Sequence, residues 1–234
     1  FGDLDRIEVL KGPQGVLYGG SNIGGAVKFI STRPSPDETT GHIKLMAGEQ
    51  SSTDVEGSIN LPIGNEWAVR LFAFTREDDG FMYNPTTDDD SVAGYEESGG
   101  RISIAGPLSD NLSLYASLRS NQYDGPNNNW ALERGTAPNF DYPYINDIET
   151  PSNNDKETYG ASLELVWELD GFDVTSITSY TDTDAKRLTD VDLQPELWLN
   201  ARQNETFEAT IQEIRFASNT SNNLQWQAGL YSSK

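Results

Sequence analysis

The sequence of 234 residues contains no cysteine and a single histidine, His42. The lack of cysteine excludes disulfide bridges, thiolate metal sites and cysteine nucleophiles. With one histidine, the sequence presents neither a Ser-His-Asp triad nor a histidine-based zinc site. Asp and Glu are numerous, as on any acidic surface, and the sequence marks no two of them as the catalytic pair of a glycosidase. We therefore expect no enzymatic activity, no catalytic residue, no resident metal and no cofactor.

Basic residues and long apolar runs are also scarce. The chain has 16 Lys and Arg against 37 Asp and Glu, a net charge of −21. This excess of acid argues against a surface that neutralises phosphates, so nucleic acid is not an expected partner. No stretch approaches the roughly 20 apolar residues that a membrane-spanning helix needs. A membrane is not excluded by this, because a transmembrane β-strand presents only every second residue to lipid.

The dominant pattern is an alternation of apolar and polar residues with a period of two, which predicts β-strands. Val55 and Ile59, for example, flank the polar residues Glu56 and Ser58. In the last long segment the phase changes near Glu213, which predicts a β-bulge or a turn there. Nine segments carry the alternation and are predicted as strands of one antiparallel meander: residues 42–48, 54–62, 67–76, 99–105, 112–123, 158–168, 172–181, 206–217 and 224–230.

The connections between these segments alternate in length. Short turns rich in Gly, Pro, Asn and Asp are predicted at residues 62–66, 106–111, 169–171 and 219–223. Long loops are predicted at residues 78–94, 124–155 and 182–204. Short turns at one end and long loops at the other are typical of outer-membrane β-barrels. Aromatic residues near strand ends would form the interfacial girdle of such a barrel, although aromatics are common in any strand: Trp67, Tyr123, Trp167, Phe172 and Trp226.

The first 34 residues differ from this pattern, because two short predicted strands, residues 6–10 and 26–31, flank a Gly-rich turn region. A phosphate-binding loop is excluded, since residues 20–25 lack the Lys and Ser/Thr that such a loop requires after its second glycine. Four blocks in this order, Arg6–Pro13, Leu17–Gly19, Ile23–Ala26 and Thr32–Pro34, closely resemble the end of the plug domain in TonB-dependent receptors. The remaining chain resembles the start of their barrel, including the QEIRFAS block at residues 212–218.

The resemblance implies a piece of a longer protein of the bacterial outer membrane. Residues 1–34 would form the end of a small α/β plug, residues 35–40 a linker, and residues 41–234 part of a transmembrane antiparallel β-barrel. About nine strands would be present of the roughly 22 that plugged transporters have. The box that TonB grips would lie upstream of Phe1.

The function implied by this resemblance is TonB-dependent import of a scarce nutrient by loop capture and plug-gated passage. A ferric siderophore is the leading ligand, with oligosaccharide or cobalamin as alternatives. Expected partners are TonB, outer-membrane lipid, lipopolysaccharide and the small-molecule ligand. A hypothesis of another class is a secreted acidic β-sandwich that binds carbohydrate or calcium.

Candidate site residues fall in two groups. Exposed aromatics beside amides in the long loops suit stacking on a chelate or a sugar, although they could instead pack loop against loop: Trp130, Phe140, Tyr142, Tyr144 and Trp198. In the plug, Arg6, Glu8 and Lys11 are predicted to pair with barrel-interior carboxylates such as Glu164 or Glu208. The acidic loop clusters at residues 78–79, 88–90, 190 and 192 are compatible with Ca²⁺ binding or with simple solvation.

Overall fold

The computed structural model describes residues 2–13, 24–49, 51–127, 148–192, 196, 198–220 and 224–234. Within these ranges the protein is all-β. No helix in this part of the chain is long and apolar enough to cross a membrane. Its eleven strands are β1 (Leu4–Lys11), β2 (Gly25–Ser31), β3 (Thr40–Ala47), β4 (Thr53–Ile63), β5 (Trp67–Asn84), β6 (Asp89–Ser109), β7 (Leu112–Gly125), β8 (Asn153–Leu169), β9 (Phe172–Asp190), β10 (Asn200–Ser218) and β11 (Gln227–Ser233).

The strands form two separate sheets. Strands β1 and β2 pair antiparallel in a two-stranded sheet. We call this sheet, together with the flanking residues Gly2, Asp3, Thr32 and Arg33, the ribbon. Strands β3 to β11 form a single antiparallel sheet in which each strand pairs with its neighbours in the sequence, and we call this sheet the wall. All nine strands predicted from the alternation are present, as are the two predicted in residues 1–34, and the all-β antiparallel architecture is confirmed.

The two sides of the wall differ in chemistry as the alternation predicts. Residues directly opposite each other in an antiparallel pair point to the same side of the sheet. Arg70 and Glu164 contact the ribbon segment, so their register partners share the ribbon side. The apolar set at the intervening positions, such as Leu118 and Leu163, lies on the outer side and is largely exposed. Polar residues therefore face the ribbon, and apolar residues face away from it.

Two predicted loops are wrong in extent. Residues 78–84 and 89–94 are paired strand in β5 and β6, which leaves a turn of only residues 85–88. Strands β9 and β10 likewise extend to Asp190 and from Asn200. Beyond the bilayer a strand has water on both sides, so its pairing needs no apolar alternation, and the sequence pattern does not detect it. The connection between β7 and β8 remains long, and the opposite ends of the strands are joined by short turns.

The predicted bulge near Glu213 is also wrong. Strand β10 pairs with β9 without interruption from Asn200 to Ser218. The apolar residues change sides along β10 without any break in the pairing. Phe207 lies on the ribbon side, opposite Thr183, whereas Phe216 lies on the outer side. Glu208 consequently lies on the outer side, opposite Asp182, and is not an interior carboxylate.

The described part of the chain has almost no apolar interior. Five apolar residues are buried: Ala68, Phe72, Met82, Ile148 and Ala185. A β-sandwich buries the inner faces of two packed sheets around a core about 10 Å thick. A single sheet with an exposed apolar side is not that architecture, so the sandwich hypothesis is not supported.

Aromatic side chains mark the end of the wall that carries the short turns. Trp67, Trp167 and Phe172 lie on the outer side there, and the rings of Phe172 and Trp226 are 6.0 Å apart. Tyr123 does not join them, because it lies opposite Glu97 on the ribbon side and stacks on Tyr95. Four of the five residues predicted for a girdle therefore share one end of the wall.

We predict that a charge at the middle of the outer side destabilises the protein in a bilayer. Leu163 lies four residues from both Trp167 and Tyr159 on β8, midway across the apolar band. Leu163→Arg should lower the free energy of unfolding of the full-length protein in lipid by about 2–4 kcal/mol. Glu157→Arg, on the same side of the same strand but beyond Tyr159, is the matched control and should change it little. Equal effects of both substitutions would contradict a lipid-facing band.

Candidate functional site: contacts between the ribbon and the wall

The strongest contact between ribbon and wall is a carboxylate shared by two arginines. The side chain of Asp3, 1% exposed, accepts hydrogen bonds from Arg70 Nε at 2.8 Å and from Arg101 Nη2 at 2.6 Å. Arg70 Nη2 also donates to the second carboxylate oxygen at 2.5 Å, so that pair is bidentate. Arg70 lies on β5 and Arg101 on the adjacent strand β6. We call Asp3, Arg70 and Arg101 the Asp3 cradle.

The backbone around Asp3 is shaped for this contact. Asp3 has a φ of 53°, a left-handed conformation that Asp adopts more readily than most residues. Its carbonyl oxygen accepts from Arg101 Nη2 at 3.0 Å and from the backbone N–H of Thr32 at 3.0 Å. Before it, a Cβ on Gly2 would lie 2.2 Å from the ring of Phe72 on the wall. Glycine at this position therefore allows the chain to approach the wall closely.

Neighbouring groups hold the two arginines in place. Arg70 Nη2 donates to Ser58 Oγ at 2.9 Å, and Ser58 in turn contacts His42 Nδ1 at 3.0 Å. Arg101 Nη1 donates to Ser31 Oγ of the ribbon at 2.8 Å, and its guanidinium lies 5.6 Å from the ring of Phe72. Each guanidinium is thus oriented by groups other than Asp3, as a pre-organised carboxylate site requires.

A second ionic contact lies beyond the end of β2. Arg33 donates from both terminal nitrogens to Glu164 on β8, at 3.0 and 2.8 Å. The guanidinium also lies 4.6 Å from the ring centre of Tyr115. The hydrogen bonds to Glu164 raise the pKa of Arg33, so the arginine stays charged. Since Arg33 is about half exposed, this pair holds the segment with less energy than the buried cradle.

The segment that joins the ribbon to the wall is fixed by one amide. Asn60, 2% exposed, accepts from the backbone N–H of Ser35 at 2.9 Å. Its own NH₂ group donates to the carbonyl oxygens of Ser35 and Glu38 at 2.8 and 2.7 Å. One side chain on β4 thereby satisfies three backbone groups of the predicted linker.

Two of the plug residues named in the sequence analysis, Arg6 and Glu8, form ion pairs within the ribbon. Arg6 pairs with its own neighbours Asp5 and Glu8 at 2.6 and 2.8 Å, and Glu8 also pairs with Lys28 at 3.3 Å. The predicted partner Glu164 is engaged by Arg33 instead. Because Arg6 and Glu8 lie on one exposed side of the same short strand, they reach each other before they reach the wall. For Lys11 the pairing stays a prediction.

The functional residues that the sequence reasoning missed are Asp3, Arg70, Arg101 and Asn60. The one indication in the sequence is that Arg70 and Arg101 occupy polar positions in segments where polar and apolar residues alternate. Asp3 lies 67 residues from Arg70 and 98 from Arg101 along the chain. Neither separation can be read from a local pattern.

Of the aromatic residues predicted to bind ligand, Trp198 is described by the structure and is 86% exposed. Trp130, Phe140, Tyr142 and Tyr144 lie outside the described residues, so their role stays a prediction. The acidic residues Asp190 and Asp192 lie close to Glu149, with one carboxylate oxygen of each within 4.8 Å of the others. Calcium binding and solvation both remain open for that cluster.

No protein-family model matches the chain. Among curated proteins, the ferrioxamine receptor of Yersinia enterocolitica is 40% identical over 76 residues, which is 32% of this chain and 11% of that protein. The vitamin B12 transporter BtuB of Vibrio vulnificus is 28% identical over 148 residues, 61% of this chain and 24% of that protein. The chain thus spans only a minor part of the length of the relatives that it matches.

Solved structures match nearly the whole chain. The ferric yersiniabactin uptake receptor FyuA from Yersinia pestis superimposes with a TM-score of 0.84 at 20% identity, covering 99% of this chain and 36% of that one. The ferripyoverdine receptor of the outer membrane of Pseudomonas aeruginosa gives 0.73 at 16% identity, covering 98% and 32%. In sequence and in fold, the chain is similar to part of the TonB-dependent outer-membrane receptors. The wall corresponds in fold to part of their barrel, and the proteins that the chain resembles are receptors and a transporter rather than enzymes.

We predict that the Asp3 cradle contributes more to holding the ribbon than any exposed ion pair does. Asp3→Asn keeps the shape of the side chain but leaves two largely buried arginines without a counter-charge, which should cost about 3–5 kcal/mol. Asp5→Asn, which removes an exposed carboxylate two residues further along the chain, should change the stability little. The measurement is the urea concentration at which protease cleaves the ribbon in the full-length receptor. Equal midpoints for the two variants would show that the cradle does not hold the ribbon.

Proposed function

We propose that this receptor imports a scarce nutrient across the outer membrane with energy delivered by TonB, and that the ribbon is the part of the plug that must leave the wall. The observation that carries the proposal is the Asp3 cradle. It joins a segment with the plug motif to two barrel strands through a buried, directional contact. Such a contact keeps the ribbon against the wall in the resting state and breaks only when the ribbon is displaced.

The same geometry supports a mechanism without chemistry on the ligand. Extracellular loops capture the ligand, and the plug blocks the lumen until TonB pulls on the plug. Residues 1–34 would belong to the plug, residues 35–40 to the linker and residues 41–234 to the barrel. Outer-membrane lipid and lipopolysaccharide would surround the outer side, where the exposed apolar band lies.

A ferric siderophore is the ligand that we favour. The ferrioxamine receptor shares the highest identity among the relatives described above, and two of the superimposable structures are receptors named for ferric siderophores. Trp198, at 86% exposure, would offer its ring to the ligand together with Trp130, Phe140, Tyr142 and Tyr144. Cobalamin is the second candidate, because BtuB matches the longest stretch among those relatives.

Uptake by cells tests both the function and the ligand. The full-length receptor, expressed in cells that lack their own receptors, should accumulate ⁵⁵Fe-ferrioxamine B above background, and deletion of TonB should abolish that uptake. Cobalamin labelled with ⁵⁷Co is offered in parallel. Uptake of cobalamin alone would replace the siderophore proposal, and uptake that does not depend on TonB would contradict the mechanism.

We predict that Trp198 contributes to capture of the ligand. Trp198→Ala should weaken binding of the transported probe to intact cells by about 10-fold or more, as loss of an exposed aromatic anchor does at a binding surface. Leu199→Ala changes the next residue, which is 56% exposed, and is the matched control with little expected effect. Binding is measured at 4 °C, where transport is slow. Unchanged affinity in Trp198→Ala would remove this residue from the site.

A further inference from the structure

Two adjacent rows of side chains on the ribbon side of the wall have an unusual composition. The first row runs across the strands from Asn60 in β4 to Ser179 in β9, and the second from Ser58 to Thr181. Six of their members are hydroxyl residues: Ser58, Ser103, Ser117, Ser162, Ser179 and Thr181. Three are arginines: Arg70, Arg101 and Arg119. We call these two rows the hydroxyl belt.

The belt contains no carboxylate of its own. Across β4 to β9 neither row includes an Asp or a Glu. The carboxylates in the flanking rows already have cationic partners, since Glu56 lies 3.7 Å from Arg76 and Glu164 pairs with Arg33. In a chain of net charge −21, this band of the wall is therefore locally cationic.

The arginines of the belt lie close enough to repel one another. Arg101 and Arg119 lie directly opposite on β6 and β7, an arrangement that is unfavourable for like charges. Asp3 compensates the charges of Arg101 and Arg70 from outside the wall, whereas Arg119 donates a hydrogen bond to the neutral hydroxyl of Thr181 at 3.3 Å. If the ribbon leaves, the carboxylate leaves with it, and three cations remain on neighbouring strands.

We propose that the arginines of the hydroxyl belt form a carboxylate-binding site in the ligand path, and that Asp3 occupies this site while the plug is in place. The inference rests on the proposed function in one respect, namely that the ribbon moves. An anionic group of a passing ligand would then replace the Asp3 carboxylate. Asp3 thus acts as an internal competitor that closes the site in the resting receptor.

The geometry fits a carboxylate in particular. Arg70 presents Nε and Nη2 to the two oxygens of Asp3, the fork that a planar carboxylate matches. Arg101 adds a third donor from the neighbouring strand at 2.6 Å. Ser58 of the wall orients Arg70, and Ser31 of the ribbon orients Arg101. When the ribbon leaves, Arg70 and Ser58 therefore stay in contact on the wall.

Chemical rescue tests the site without requiring transport. Asp3→Ala in the purified full-length receptor removes the carboxylate that the two arginines bind, and added acetate supplies one in its place. Acetate at saturating concentration should raise the unfolding temperature of this variant by about 2–4 °C, saturably, because it binds only the folded state. Sodium chloride at equal ionic strength is the salt control. Wild type, whose site is filled by Asp3, and Asp5→Ala should show no such rise.

Further variants keep the test decisive. Asp3→Gly removes the whole carboxymethyl group, which acetate matches in size, and glycine suits the positive φ at this position. This variant replaces Asp3→Ala if the latter assembles poorly, and both are also refolded in acetate. Adding Arg119→Gln to Asp3→Ala should weaken acetate binding several-fold, whereas adding Arg76→Gln, an arginine with its own carboxylates, should not. Absence of any acetate dependence in both Asp3 variants, or an equal rise in wild type, would overturn the proposal. Because no transport is measured, failure of the site and failure of the import function are distinguished.

Discussion

The burial of one carboxylate against the wall is the constraint on which the rest of this structure depends. A charge removed from water must be paired and hydrogen-bonded, or its desolvation is not offset. Asp3 meets this demand with two arginines from adjacent strands, and this fixes the height and the orientation of the ribbon at once. The close approach of Gly2 to Phe72 and the amide of Asn60 on the linker then secure the chain on both sides of the ribbon.

The wall reverses the usual distribution of a soluble protein. Its apolar residues face away from the ribbon, and its ribbon side carries serines, arginines and paired carboxylates. A barrel that surrounds a plug needs this arrangement, because its interior contacts polar protein and water while its exterior contacts lipid. The ion pairs of Asp3 and Arg33 join the two sheets, and they hold the ribbon on the polar side of the wall.

Much of the fold is accessible from the sequence, because alternation with a period of two reports directly which residues share a side. This is why the nine strands of the wall and the interior position of Glu164 are predicted correctly. The alternation does not predict a strand whose two sides both face water, as in the outer parts of β5 and β6. It also misleads where the apolar residues change sides, as between Phe207 and Phe216 in β10. The cradle is not accessible, because it joins residues 67 and 98 positions apart and depends on a register between sheets that no local pattern encodes.

If a solute passes this level of the wall, as proposed, the serines of the belt affect how long it stays there. A hydroxyl group donates or accepts and rotates to suit its partner. In the structure Ser117 and Ser162 bond to each other at 2.8 Å, so each can exchange that partner for a passing group without leaving a polar atom unpaired. A solute would therefore meet many weak and interchangeable contacts, which shorten its residence time at any one position. The free energy of the solute would then vary little along this lining, which suits a path that must release what it binds.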